Sequence, residues 1–343
     1  MRRFSGSQVA LWAVGFALTC LVLAAPAQQP TPVRMSGAIF GTSWSLVYPV
    51  EPGQPAPERV RAALLEAFSR VDVSMNHYAP SSLISRFNRS DVDDSFEVDR
   101  DFAYVLTMAL QISSLTEGAY DVTLSPLSGL WGFGPDGPTR WPQEEEIATA
   151  RSKIGVDVLQ WNPDLRQLSK RVAGAALDFS SIAKGYGVDL GADALDELAI
   201  SSYLLDVGGE QRLKGSSPRG DAWRVAIERP DQMGDRVMVA VTIDEDTGIA
   251  TSGNYRNFFE HEGQVYSHLI DPRTGYPIAH DVVSVTVIHP STAIADAWAT
   301  ALIVLGGDRA IAVAEAQDLA VYLIRKTDRG YEVAYTSQMA RWL

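Results

Sequence analysis

Cysteine is nearly missing from this chain of 343 residues: it occurs once, at Cys20. Cys20 lies in an apolar N-terminal run, so the rest of the chain has no thiolate nucleophile, zinc–thiolate centre, iron–sulfur cluster or disulfide available to it. Histidine is scarce as well, with five in all. Basic residues are in deficit, 29 Lys and Arg against 42 Asp and Glu, and they form no block. The resulting net charge of −13 argues against a nucleic-acid surface. A phosphate-bearing ligand would then have to be held by a metal ion, backbone N–H groups or a helix N-terminus. No repeat of solenoid or propeller period is present. Beyond residue 25 every apolar stretch is interrupted by charge within a few residues, too soon to cross a bilayer.

What remains is ordinary globular material, 46% hydrophobic with 27 Gly and 18 Pro, long enough to bury a sizeable core without covalent staples. Residues 1–27 read as an export signal: Arg2 and Arg3, an apolar run from Val9 to Ala25, then Ala25-Pro26-Ala27 as a small-x-small cleavage site. A retained anchor helix is the alternative, as is lipidation at Cys20, although Ala17-Leu18-Thr19-Cys20 is a poor lipoprotein box. Residues 28–36 follow as a Pro-rich linker, and 37–343 as one domain with no internal linker.

Within that domain a strand is expected over Gly37–Leu46. A half-buried helix should begin at Pro57, with Val60, Ala63, Leu64, Ala67, Phe68 and Val71 at helical spacing. Helices are expected from Asp99 to Glu117, ending at Gly118, and from Pro142 to Lys153, ending at Gly155. The stretch Tyr120–Pro135 is too rich in Gly, Pro and aromatics for a regular element, and its Trp131 and Phe133 either plug the core or line a pocket for a flat ligand. Further on, strands near 156–161, 166–172, 201–207, 223–228, 236–243, 264–270, 282–288 and 319–325 mix with helices near 181–198, 292–305 and 308–317. That interspersion is α+β, not a doubly wound parallel sheet.

Several constellations carry chemistry. In Asp178-Phe179-Ser180-Ser181-Ile182-Ala183-Lys184 a strand end turns into a helix that Ser180 or Ser181 can cap, with Lys184 on its first turn, as a phosphate cradle would need. Asp296 and Thr300 stand four residues apart on an apolar helix, offering two oxygens to Mg2+; a dipole-favoured Asp and a Thr bonded to its own helix would look the same. His268 and Asp271 end an apolar strand as it enters a Pro/Gly turn, which makes His268 a candidate base oriented by Asp271, or both parts of a structural turn. Tyr78 offers a ring for stacking, and the pair in Asp206-Val207-Gly208-Gly209-Glu210 permits close backbone approach.

Taken together, these segments resemble the FAD:protein FMN transferase family, the ApbE family of flavin transferases. The resemblance is carried by Gly41-Thr42, Ser81-Ser82-Leu83 to Phe87-Asn88, Gly118-Ala119-Tyr120-Asp121, Leu130 to Gly134, Ser181 to Tyr186, Val207-Gly208-Gly209, Thr251-Ser252-Gly253, His268 to Gly275 and Ala295 to Thr300. It implies a periplasmic Mg2+-dependent enzyme that cleaves FAD, releases AMP and attaches FMN through a phosphoester to a Thr or Ser of an acceptor. The acceptors it implies are flavin-carrying subunits of membrane redox complexes, which adds association with the inner membrane. It places flavin-nucleotide contacts on Phe40, Tyr78, Ala119, Tyr120, Asp121, Asp178, Lys184 and Ile270, and metal ligands on Ser181 (through its carbonyl), Asp296 and Thr300. Phe40 departs from the Met common in the family, and Tyr120 from the usual Phe or Met. An FAD pyrophosphatase using water, or a protein that binds FAD without reacting, are the competing readings; the aromatic at Tyr78 is typical of the transferases.

Overall fold

A computed structural model of the protein describes residues 31–133, 140–230, 237–254, 258–261 and 264–343, with only the backbone described for 258–261, 264 and 265. The expected export signal and Cys20 lie outside the described residues. The chain begins with a hairpin, β1 (Val33–Ile39) and β2 (Thr42–Tyr48), then α1 (Pro57–Met75), α2 (Leu83–Asn88), β3 (Phe96–Glu97) and α3 (Arg100–Leu115). Next come α4 (Ser125–Leu130), α5 (Glu144–Arg151), β4 (Leu159–Asn162), β5 (Gln167–Lys170), α6 (Ala183–Glu197), β6 (Tyr203–Val207) and β7 (Glu210–Lys214). They are followed by β8 (Trp223–Glu228), β9 (Val237–Ile243), β10 (Thr247–Gly253), β11 (Phe258–His261), β12 (Gln264–Ser267), β13 (Ile270–Asp271) and β14 (Tyr276–Pro277). The chain closes with β15 (Val282–His289), α7 (Thr292–Leu305), α8 (Gly307–Ala316), β16 (Ala320–Thr327), β17 (Gly330–Tyr335) and a 3-10 turn over Ser337–Trp342.

Eight strands form one antiparallel sheet in the order β1-β2-β6-β7-β10-β15-β16-β17. The fold is α+β, as expected. Period-two alternation decides which layer each side chain enters. On β16, Val321 and Leu323 join the helical core, while Ala320, Tyr322 and Ile324 face the opposite layer, made of the β8–β9 ribbon and the last turn with Met339 and Trp342. Because both faces are covered, Ala-Val-Tyr-Leu-Ile reads as a continuous apolar run. On the helical side α1, α6 and α7 lie over the sheet, with Leu64 and Phe68 of α1 packed against Trp44, Leu46 and Leu205. A smaller sheet, β3-β5-β4, packs beside α3, where the Trp161 ring N–H donates to Thr107 Oγ1 at 3.3 Å.

Most long helices fall where their periodicity places them, and the differences have local causes. The expected strand 37–46 is a hairpin that reverses at Phe40 and Gly41, both with positive φ, and its first arm starts at Val33, inside the expected linker. The stretch Tyr120–Pro135 contains the short α4, started by Pro126 in its first turn. Strand β7 (Glu-Gln-Arg-Leu-Lys) has too little apolar content to announce itself, and β10 (Thr-Gly-Ile-Ala-Thr-Ser-Gly) is too small and glycine-rich. Both are held by neighbours on either side.

The small residues of β10 and α6 have a packing reason. A Cβ on Gly185 would lie 2.4 Å from the Thr292 carbonyl oxygen and 2.8 Å from Asp296 Cβ, and one on Gly248 would lie 2.5 Å from Thr292 Oγ1. These glycines let α6, α7 and β10 meet backbone to backbone. One turn along α6, Asp189 accepts from the Thr292 N–H (2.8 Å), the Ala293 N–H (3.0 Å) and the Ser291 hydroxyl (2.7 Å), capping α7 from outside its own sequence. Helix propensity alone predicts that Gly185→Ala gains about 1 kcal/mol. The backbone clash reverses that sign, and urea denaturation should show a net loss of about 1–3 kcal/mol.

Candidate active site

Helix α7 is apolar on nearly every side and is buried along most of its length, yet it carries Asp296 at 3% exposure. That carboxylate is paid for by two neighbours from α6: the Gly185 N–H donates to Asp296 Oδ2 at 3.0 Å, and Lys184 Nζ stands 3.8 Å from the same oxygen. Gly185 is the third residue of α6, so its N–H is one of the first-turn donors that have no partner within the helix. Asp296 satisfies that donor, and Ser181, which precedes the Ile182 cap, has its carbonyl outside the helical ladder. One turn along α7, Thr300 Oγ1 pairs with Ser252 Oγ of β10 at 3.0 Å and does not turn back onto its own helix.

Lys184 makes its short contact with Glu210 Oε1, at 2.6 Å. Glu210 opens β7 directly after Gly208 and Gly209, whose positive φ values (67° and 105°) make the two-residue hairpin turn from β6. Burial pushes the Glu210 carboxyl up to about 7 in spite of the Lys184 ammonium, and Asp296 adds to the rise. Burial also raises Asp296, against the pull of Lys184. For Lys184 the two carboxylates outweigh burial and hold the ammonium charged.

These groups line a cleft of about 680 Å³. Tyr78, Ala119, Tyr120, Asp121, Asp178, Ser181, Lys184, His268, Ile270, Asp296 and Thr300 all border it, so eleven residues read as site positions from the sequence are brought together. Two are not among the lining residues. Phe40 sits on the β1–β2 turn with its ring edge-on to Phe68 at 6.0 Å and close over Gly187. Asp271 has both carboxylate oxygens engaged by the Arg273 guanidinium, at 2.8 and 2.7 Å, so it braces the 270–277 turn that follows His268. The predicted serine cap of α6 is also absent: Ile182 occupies the cap position without a side-chain bond. Ser180 instead bonds Asp178, and Ser181 donates to the Tyr120 hydroxyl at 3.0 Å.

Asp121 and Asp178 lie on adjacent segments joined by the Asp178 N–H to Val122 carbonyl bond at 2.8 Å. Each closes a tight turn, Asp121 accepting from the Thr123 N–H and hydroxyl, Asp178 from those of Ser180. Burial raises the Asp121 carboxyl, with the Thr123 bonds opposing. At the rim the exposed Tyr78 ring lies against His77 at 4.1 Å, and His77 Nδ1 is 3.5 Å from Asp178 Oδ1. Of the two aromatics left open, Trp131 is core, its ring N–H donating to the Gly275 carbonyl, whereas Phe133 lines the cleft. His77, Glu210, Thr251 and Ser252 line it too, and their motifs alone assign them no roles. For Glu210 the available signal was an acid set directly after a glycine pair.

The profile of the ApbE family matches residues 40–323. The chain belongs to that family. The FAD:protein FMN transferase of Haemophilus influenzae is 40% identical over 316 residues, covering 91% of each chain. That of Escherichia coli K12 is 35% identical, over 92% of this chain and 93% of the relative. The solved structure of the flavin transferase ApbE from Vibrio cholerae superposes with a TM-score of 0.85 at 39% identity, over 91% of this chain and 99% of the other. The ApbE resemblance read from the motifs is therefore borne out, and so is the fold.

Thr123 ties this end of the ApbE site together, since its hydroxyl also accepts from the Gly155 N–H at 2.7 Å. Thr123→Val, which keeps the shape and removes the hydroxyl, should cost about 1–3 kcal/mol in urea denaturation. It should also weaken FAD binding measured by flavin fluorescence.

Proposed function

We propose that this protein transfers FMN from FAD to a Thr or Ser hydroxyl of an acceptor protein and releases AMP. The observation that carries the reading is the meeting, in one cleft, of oxygen donors and a lysine at the α6–α7 crossing with a histidine and an exposed aromatic ring. Family membership supports it, since the curated relatives carry that activity in their names.

The Asp296 carboxylate, the Thr300 hydroxyl and the Ser181 carbonyl fit Mg2+, because all are hard oxygen donors and the Ser181 carbonyl lies before the α6 cap, outside the helical ladder. Bound there, Mg2+ would neutralise charge on a pyrophosphate that the acidic protein otherwise repels. Lys184, on the first turn of α6, holds a further positive charge at the same end of the cleft. Tyr78 presents a ring face at the rim for the isoalloxazine, while the apolar Ala119 and Ile270 shape the wall.

The acceptor oxygen attacks the flavin-side phosphorus. One P–O bond forms, the anhydride P–O bond breaks, and AMP leaves with its electron pair. His268 takes the hydroxyl proton as the acceptor attacks. The turn braced by Asp271 and Arg273 holds the segment that carries it. Acceptors in membrane redox complexes, a periplasmic location and attachment to the inner membrane complete the proposal; they rest on the resemblance and on residues 1–27.

Incubation of the protein with FAD, Mg2+ and an acceptor domain should give an FMN-sized mass increase on the acceptor and free AMP. Free FMN beside an unmodified acceptor would establish FAD hydrolysis instead. Asp296→Ala should remove Mg2+-dependent turnover, and undiminished activity would show Asp296 to be structural. His268→Ala should lower kcat by about 10²–10⁴-fold, the usual worth of a positioned base; a near-normal kcat would rule it out as the base.

A further inference from the structure

We propose that Glu210 is a positioning residue that holds the Lys184 ammonium away from Asp296 and so keeps the Asp296 carboxylate open to a divalent cation. Lys184 Nζ lies within hydrogen-bond range of Glu210 Oε1, at 2.6 Å, and outside it for Asp296 Oδ2, at 3.8 Å. An ammonium and a divalent cation are like charges competing for the same carboxylate, so the location of Lys184 decides whether Asp296 is available.

Glu210 is an expensive residue in purely structural terms. Its side chain is 5% exposed, and its second oxygen, Oε2, is buried without a partner. An apolar residue would serve packing better than a buried carboxylate with one oxygen unpaired. Its direction is fixed by the hairpin, because Glu210 pairs with Val207 across the two-glycine turn and opens β7 beside α6. Lys184 is held in turn by its place on the first turn of α6. The two elements present the ion pair beside Asp296 without merging with it.

The inference rests on the divalent-cation reading of Asp296 and Thr300, and one experiment separates the two. Mg2+ is titrated at pH 8 into the wild type, Glu210→Gln, Glu210→Asp and the double variant Glu210→Gln/Lys184→Met. Binding is read by calorimetry and by the Mg2+-dependent rise in Tm, with folding checked by circular dichroism. Glu210→Gln should let Lys184 close onto Asp296 and weaken Mg2+ binding by about tenfold or more. Glu210→Asp, which keeps the charge on a shorter arm, should lose less. Adding Lys184→Met to Glu210→Gln should restore the affinity to within about threefold of the wild type. Wild-type Mg2+ affinity in Glu210→Gln overturns the proposal, as does a double variant as weak as Glu210→Gln alone; should Glu210→Gln not fold, a double variant about tenfold or more weaker than the wild type overturns it. A wild type that binds no Mg2+ overturns the cation reading itself, and this inference with it.

Discussion

The hydrogen bond from the Gly185 N–H to the Asp296 carboxylate organises the centre of this protein. It can form only if two helices approach closely, and the missing side chains of Gly185 and Gly248 permit that approach at the point where α6, α7 and β10 meet. The same bond satisfies a donor of the first turn of α6 that has no partner within the helix. Asp189 reinforces the crossing one turn later by capping α7. A fold contact and the chemistry of the site are here one interaction.

Charge accounts for much of the rest. At the crossing, two nearly buried carboxylates, Asp296 and Glu210, share one ammonium. Burial works against both acids, and the deficit of positive charge is what a divalent cation bound among oxygen donors would relieve. The acidic composition thus acquires a local meaning: the protein carries few cations overall and places one of them, Lys184, at the point where anions meet.

The readable elements were those that bury one face. Helix α1, with Val60, Leu64, Phe68 and Val71 inward, and strand β16, apolar on both faces, follow from spacing alone. Strand β7 was hidden because its residues are mostly polar, and β10 because it is small and glycine-rich, with Gly248 leaving the space that α7 fills at Thr292. The serine cap on α6 failed for a related reason: Asp178 and Tyr120 compete for the hydroxyls of Ser180 and Ser181 and win by proximity that the linear chain does not show.

Eleven of the thirteen residues read as site positions border one cleft, because each sits in a short motif with its own local shape. Phe40 and Asp271 depart from that pattern, drawn into contacts with Phe68 and Arg273. By itself the sequence determined the α+β class, the absence of thiol chemistry in the body of the chain, and the residue types gathered at the site, since composition and periodicity are local properties. Only the tertiary structure decided that Lys184 pairs first with Glu210, that Asp296 bonds a backbone N–H of another helix, and that Thr300 pairs with Ser252. Those partners are between 26 and 111 positions apart along the chain, and the close packing of α6 and α7 over the sheet brings them within hydrogen-bond range.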